Sequence, residues 1–422
     1  MPLLFHYYHY TGCLLKNLYK IYGKIRMTIH YAKEGKNMTE FVVANGHIYT
    51  EDGVINQGYI RVANGKIAEV GSGDYNGDLQ VIDAEGKNIL PGFIDIHIHG
   101  GYGEDAMDAS FDGMKHLSES LLSEGTTTYL ATTMTQSVEN IDRALENVVE
   151  YMKFQDKENA AEVAGVHLEG PFISEHKVGA QNPKYVQRPS IDAIQHFQAV
   201  AQGNIKVMTF APEVEGADEA LEALSDNIIF SIGHTVATYD EVNEAVAHGA
   251  KHATHLYNAG TPFEHRAPGV FGAVWTNDEI NAEAIVDGIH SHPAAIKTAF
   301  RMKGNQHFYL ITDAMRAKGM PDGEYDLGGQ NVTVKESEAR LASGALAGSI
   351  LKMNDGVRNL IAFTDSSLEE VWRTTSLNQA IALDIDNKKG SIQVGKDADL
   401  VIVDDNINVS TTIKNGMIHA FE

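Results

Sequence analysis

The sequence predicts an α/β protein: a (β/α)8 barrel of the TIM type with a small β-sandwich domain built from both chain ends. Three observations predict it. Eight short apolar runs alternate with helix-like segments through the middle of the 422-residue chain, and alternating β and α implies a parallel sheet. Short β runs punctuated by Asn-Gly occur at both ends, and neither end buries enough surface alone. Ionisable residues gather where the apolar runs stop, which in a barrel is a single rim.

The first 37 residues stand apart. They hold Lys16, Lys20, Lys24, Arg26, Lys33 and Lys36 against one acid, Glu34, in a Tyr- and His-rich stretch without a signal-peptide core. Lys33-Glu34-Gly35 can be encoded as a purine-rich ribosome-binding site just before the Met38 codon. Residues 1–37 are therefore expected to be translated leader or a disordered extension, with the native start at Met38 in the first case. From 38 to 92 the first part of the small domain reads as Phe41–Ala44, His47–Tyr49, Gly58–Val62, Lys66–Val70 and Gln80–Asp83. Asn45-Gly46, Asn64-Gly65 and Gly71-Ser72-Gly73 are its turns, Asn-Gly being the favoured hairpin pair.

Residues 93–390 are expected to form the barrel. Its strand candidates are Phe93–His99, Thr126–Thr133, Val163–Glu169 and Ile205–Ala211, then Ile228–His234, His252–Tyr257, Ala282–Asp287 and Phe308–Asp313. Helix-like stretches such as Phe111–Glu124, Val138–Phe154, Asp240–His248 and Pro293–Met302 separate them. No glycine fingerprint opens the first unit, which argues against a dinucleotide site. Residues 391–422 return to short β, with Leu400–Val403, Thr411–Lys414 and Met417–Ala420 around Asn415-Gly416.

Composition narrows the function. Asp plus Glu number 57 against 33 Lys plus Arg, a formal charge of -24, which disfavours nucleic acid or an anionic membrane as partner. A few local cations could still bind an anionic small molecule. A single cysteine, Cys13, excludes an internal disulfide framework and fits a reducing cytoplasm. No apolar run approaches the roughly 20 residues that cross a bilayer.

The strand ends carry the chemistry. The first ends in His97-Ile98-His99, the third in His167-Leu168-Glu169, and the later ones at His234, His255, Asp287 and Asp313. Residues i and i+2 of a strand share a face, so His97 and His99 can both point inward. One such histidine is more often a satisfied core imidazole, but four with carboxylates beside them suit a borderline divalent metal such as zinc or iron. Glu169, fixed by the sharp exit Gly170-Pro171, could bridge two ions. Asp313 alone could cap a helix; beside a metal it suits a general base for the attacking water. His6, His9, His30, His116, His196 and His248 have no such placement.

Pro91-Gly92-Phe93-Ile94-Asp95-Ile96-His97-Ile98-His99-Gly100 resembles the first-strand signature of the amidohydrolase superfamily, and Gly395-Lys396-Asp397-Ala398-Asp399-Leu400-Val401 its return to the small domain. Further motifs are similar to those of the N-acetylglucosamine-6-phosphate deacetylases. They are His167-Leu168-Glu169-Gly170-Pro171-Phe172, Gly233-His234-Thr235, His255-Leu256-Tyr257-Asn258-Ala259, Asp287-Gly288-Ile289-His290, Thr312-Asp313-Ala314 and Leu346-Ala347-Gly348-Ser349. The resemblance runs in order from Met38 to Glu422.

It implies a metal site at Glu169, His234 and His255. Some members replace the first-strand histidines and use one metal; this chain keeps His97 and His99, implying two divalent ions per subunit bridged by Glu169. Asp313 matches the catalytic aspartate, and His290 a residue that contacts the sugar and polarises the acetyl carbonyl. Asp287, Gly288 and Ile289 would shape the pocket wall, and Asn258 and Ala259 would hold phosphate. Ala180, Gln181, Leu346, Ala347 and Gly348 would complete the substrate pocket. Some relatives have histidine at Gln181; glutamine can hydrogen-bond the substrate but cannot titrate. Arg266 matches an arginine that reaches the phosphate held by a neighbouring subunit, implying a homodimer. The implied reaction converts N-acetylglucosamine 6-phosphate to glucosamine 6-phosphate and acetate, in amino-sugar catabolism and cell-wall recycling.

Other readings stay open. Cyclic-amide hydrolases on this scaffold usually bridge their metals with a carbamylated lysine, and Glu169 stands at that position here. The galactosamine epimer is excluded by no residue. A non-catalytic assembly protein would have lost its ligands, whereas every ligand position is filled.

Overall fold

The computed structural model describes residues 39–421, so the expected leader at 1–37 and the start at Met38 lie outside the described residues. The eight expected barrel strands all form. They are β1 (Phe93–Ile98), β2 (Thr126–Thr133), β3 (Glu162–Glu169), β4 (Ile205–Phe210), β5 (Ile229–Ile232), β6 (His252–Ala253), β7 (Asn281–Ile285) and β8 (Phe308–Ile311). They pair in chain order, each parallel to the next. The circuit closes where His99 and Gly100 donate from their backbone N–H to Ala314 O at 2.9 and 3.0 Å, and Asp313 donates to His97 O at 2.8 Å. Helices cover the outside with apolar stripes at 3.6-residue spacing. Val138–Phe154 buries Ile141, Leu145 and Val148, and Ser137 caps its start by accepting from Asn140 N.

Strands five to eight stop two or more residues short of their expected ends. His234, His255 and Asp313 adopt φ of 49, 33 and 48°, and Tyr257 and Ala259 are also left-handed at 81 and 48°. Strand pairing would send alternate side chains outward; leaving it in a strained turn re-aims each ring or carboxylate over the barrel mouth. Such conformations cost of order 1–3 kcal/mol each and persist where the surroundings fix them.

The chain ends build one eight-stranded sheet. Its path runs Met417–Ala420, Val409–Lys414, Leu400–Val403, Asn88–Pro91, Glu40–Thr50, Gly53–Ala63 and Lys66–Ser72, with Val81–Asp83 also paired to Glu40–Thr50. It wraps a single core of residues from both ends, including Phe41, Ile48, Ile60, Ile89, Leu400 and Ile413. Asn64-Gly65 and Asn415-Gly416 make the expected hairpins, with φ of 51 and 74°, and 46 and 82°. Asn45-Gly46 does not. It forms a bulge inside the continuous strand Glu40–Thr50, where a Cβ on Gly46 would meet Lys87 O at 2.7 Å.

At the N-terminal face of the barrel, buried charges join the two parts. Lys389 Nζ contacts Asp399, Asp397 and Glu162 at 2.8, 2.9 and 3.0 Å, and Lys414 Nζ contacts Asp399 at 2.8 Å. Asp399 also accepts from Asn415 N at 2.8 Å. The Asp397-Ala398-Asp399 motif therefore does structural work far from the rim. Between β8 and the last helices lies a feature the sequence did not reveal, an antiparallel sheet of Gly323–Leu327, Gln330–Lys335 and Glu338–Leu341. Its own apolar cluster includes Met134, Met315, Leu327 and Val332, so 93–390 is a barrel plus an inserted sheet.

Candidate metal centre and active site

The rim residues converge. Glu169, at the end of β3, places Oε1 3.1 Å from His255 Nε2 and 3.2 Å from His234 Nε2. Its Oε2 lies 3.2 Å from His99 Nε2, and Oε1 3.5 Å from His97 Nε2. Asp313 Oδ1 stands 3.2 and 3.3 Å from the same nitrogens of His99 and His97. Two metal-capable groups result among the described residues: Glu169, His234 and His255, and His97, His99 and Asp313. Glu169 touches rings of both.

These side chains are almost wholly buried, so their charges must be balanced inside the site. His234 Nδ1 donates to Lys177 O at 2.9 Å, which leaves Nε2 as a bare lone pair. That nitrogen nevertheless faces His255 Nε2 at 3.1 Å and the Glu169 carboxylate. Both ring nitrogens of His97, and Nδ1 of His99 and His255, have no hydrogen-bond partner among the described residues. Lone pairs pointing at one another across a carboxylate form a donor set for a cation, and imidazole with carboxylate oxygen suits a borderline divalent ion.

The electrostatics agree. Burial pushes the Glu169 carboxyl up, but the facing imidazoles, His97 above all, hold it well below its ordinary value. Asp313 is likewise lowered: burial and Glu169 oppose ionisation, while His97 and His99 outweigh them. Burial disfavours charge on His99, yet Asp313 and Glu169 raise it to about 9. The carboxylates thus demand positive charge, which a divalent cation would meet. His167 differs. Burial and its neighbour His97 bring it down to about 3, and it donates from Nδ1 to Ile96 O at 3.0 Å as a neutral core ring.

A cavity of about 510 Å³ opens above the centre. Of the expected residues, Glu169, His99, His234, His255 and Asp313 form its floor, with Ala180, Gln181, Asn258, Ala259, His290, Leu346 and Gly348 around it. His290 is anchored: its Nδ1 donates to Asp287 Oδ2 at 2.6 Å, while Asp287 Oδ1 accepts from Ile289 N and His290 N, both at 2.8 Å. Burial alone would raise Asp287, but these donors, His290 first, keep it lowered. Asp287, Gly288 and Ile289 thus form the turn carrying His290 and stand outside the lining. Gly348 closes against Asp313: at φ 62° a Cβ there would sit 3.0 Å from Asp313 O.

Three more expected residues lie outside the lining. Ala347 is buried under the inserted sheet, between Leu346 and Gly348. His97 lies beneath the floor, fully buried. Arg266 is exposed on the 262–267 loop and stands outside the cavity of its own chain. Gln181 is committed to the centre: Nε2 donates to Glu169 Oε2 at 2.6 Å, and Oε1 accepts from Thr135 N at 2.7 Å.

The sequence reading missed several residues. His176, Lys177, Leu327 and Arg340 also line the cavity, the last two brought by the inserted sheet. Asp95 ties β1 to β8, accepting from Thr312 Oγ1 at 2.5 Å; burial pushes its carboxyl up to about 6 although Lys318 and that bond oppose it. Glu283, wholly buried on β7, was signalled by a charge inside the apolar run Ala282–Val286.

Comparison with known proteins places this chain in a family. The family model described as "Amidohydrolase family" matches residues 88–418. An N-acetylglucosamine-6-phosphate deacetylase of Bacillus subtilis (strain 168) is 46% identical over 377 residues, covering 88% of this chain and 95% of that protein. An N-acetylgalactosamine-6-phosphate deacetylase of Escherichia coli O157:H7 is 34% identical over 375 residues, covering 89% and 98%. The solved N-acetylglucosamine-6-phosphate deacetylase from Pasteurella multocida superposes with a TM-score of 0.85 at 32% identity, covering 90% of this chain and all of that one. With an eight-stranded parallel barrel, two metal-capable groups at its rim and matches at this level over nearly the whole described length, this chain belongs to the amidohydrolase family.

Proposed function

We propose that this protein hydrolyses the acetamide of N-acetylglucosamine 6-phosphate to glucosamine 6-phosphate and acetate. The observation that carries this reading is the convergence of Glu169, His234 and His255 beside Asp313 on the floor of one cavity. The 46% identity to a deacetylase of that name supports the substrate.

Glu169, His234 and His255 would hold one divalent ion, zinc or iron, and His97 and His99 would help to hold a second, with the Glu169 carboxylate facing both groups. Such an ion supplies Lewis acidity, which polarises a carbonyl and acidifies water. Asp313, ionised and facing the cavity floor, takes the proton from the attacking water. As the tetrahedral carbon collapses, it returns that proton to the amine, which leaves neutral. His290, its ring fixed by Asp287, faces the sugar and the acetyl oxygen. Gln181 acts chiefly on Glu169, fixing the orientation of its carboxylate.

The phosphate would rest on Asn258 and Ala259 and meet Arg266 from a second subunit, whose guanidinium can bind it bidentately. Exposure of Arg266 on its own chain supports this placement. The working form is then a homodimer, in the cytoplasm. No helix of the described residues is long and apolar enough to cross a membrane. The test is amine formation from N-acetylglucosamine 6-phosphate and N-acetylgalactosamine 6-phosphate side by side. Preference for the galactosamine epimer would reassign the substrate, as the 34% identical relative would suggest.

A further inference from the structure

Beneath the rim the barrel interior is polar, where packing normally calls for Val, Ile and Leu. From β3, β4, β5 and β7, with Thr254 just after β6, come His167, Thr209, Thr254, Ser231 and Glu283, successive contacts measuring 2.8, 2.8, 2.6 and 3.2 Å. His252 Nδ1 then donates to Glu283 Oε1 at 2.9 Å. Oε1 of Glu283 thus has two donors, and Oε2 has none.

An ionised carboxylate with a bare oxygen in a dry interior is costly. What Oε2 faces is His97 Nδ1, at 3.9 Å. That nitrogen is also buried without a partner. Two orphaned atoms, an acceptor and a possible donor, therefore confront each other across slightly more than hydrogen-bond distance. On the far side of the same ring, Nε2 faces Glu169 and Asp313.

We propose that Glu283 is the positioning residue of the His97–His99 metal site: its Oε2 accepts the Nδ1–H of His97 and fixes the tautomer whose Nε2 lone pair points to the ion. Metal-ligating histidines commonly give their second nitrogen to a carboxylate or carbonyl, which orients the ring and raises its basicity. His234 receives that service from Lys177 O; His97 receives it from Glu283. His97 belongs to the second group, and Glu283 pairs with it and with no member of the first group of Glu169, His234 and His255. The inference rests on the metal-hydrolase reading above.

The test is zinc retention by the full-length protein against graded chelator, read as ions per subunit, for wild type, Glu283→Gln and Glu283→Met. Glutamine keeps the shape and polar contacts to Ser231 and His252, and methionine keeps the length without an acceptor. Wild type is expected to hold two ions. The variants should hold the first with unchanged affinity and the second 10–100-fold more weakly. Thr209→Val, in the same polar column but away from His97, should keep both ions. Melting of the zinc-free proteins shows that the variants are folded. Two ions at wild-type affinity in both variants, or equal weakening of both ions, would overturn the role of Glu283. A wild type that holds no ion would instead overturn the metal-hydrolase reading itself.

Discussion

Gln181 donates from Nε2 to Glu169 Oε2 at 2.6 Å, on the carboxylate that touches the rings of both metal-capable groups. Thr135 N fixes the other end of that amide, so its orientation is set by the backbone after β2. Replacing Gln181 with leucine removes the donor and leaves Glu169 free to turn. The expected effect is a 10–100-fold loss of metal affinity, measured by zinc titration, with activity partly recovered at saturating metal.

Asp313 is the proposed proton carrier. Asp313→Asn keeps the shape but cannot accept a proton, so kcat should fall about 10²–10⁴-fold. KM should change little. Acetate release by the metal-saturated variant checks this, and metal analysis should still find an ion held by Glu169, His234 and His255.

The two domains are joined by charge. Asp399 faces the ammonium groups of both Lys389 and Lys414 in a dry interface. Burial would raise its carboxyl, but Lys414 and Lys389 hold it well below its ordinary value. Asp399→Ala leaves two buried cations short of a partner and should cost about 3–5 kcal/mol. Urea unfolding measures the loss.

Glu162 gives that interface a pH signature. Burial pushes its carboxyl up, yet Lys389, Lys414 and Lys157 bring it down to about 2. Its folded value lies below the ordinary 4.5, so the unfolded state takes up its proton first. The contribution is fully present above about pH 4.5 and is lost as pH falls toward 2. Glu162→Gln should flatten this part of the stability curve, as seen by melting between pH 5 and 3.

If Arg266 serves a neighbouring subunit's phosphate, Arg266→Ala and Asp313→Asn subunits are each defective for different reasons. Mixed after subunit exchange, they should regain activity in hybrids carrying one site with both residues intact. Exchange without recovery would rule out the trans role.

Much of this was legible in the chain because the signals are local. Eight apolar runs gave eight strands, and the i, i+2 spacing of His97 and His99 placed both rings on the inward face. The shortened β5, β6 and β8 were not legible, since pairing stops where His234, His255 and Asp313 turn left-handed to face the centre. Asn45-Gly46 read as a hairpin because that pair has the right local preference; contacts with the distant Lys87 make it a bulge instead. Arg340 lines the cavity only through the sheet inserted after β8, whose polar-alternating strands sit in a segment assigned to the barrel. Glu283 required knowing which residue lies across the barrel interior, a relationship carried by tertiary packing.

The central claim is tested most directly by acetate release from N-acetylglucosamine 6-phosphate and from the unphosphorylated sugar, with protein-bound metal quantified in the same sample. Fast release from the phosphate ester alone is the expected result. No release from the phosphate ester by a fully metallated protein would contradict the assignment of substrate while leaving the amidohydrolase fold intact.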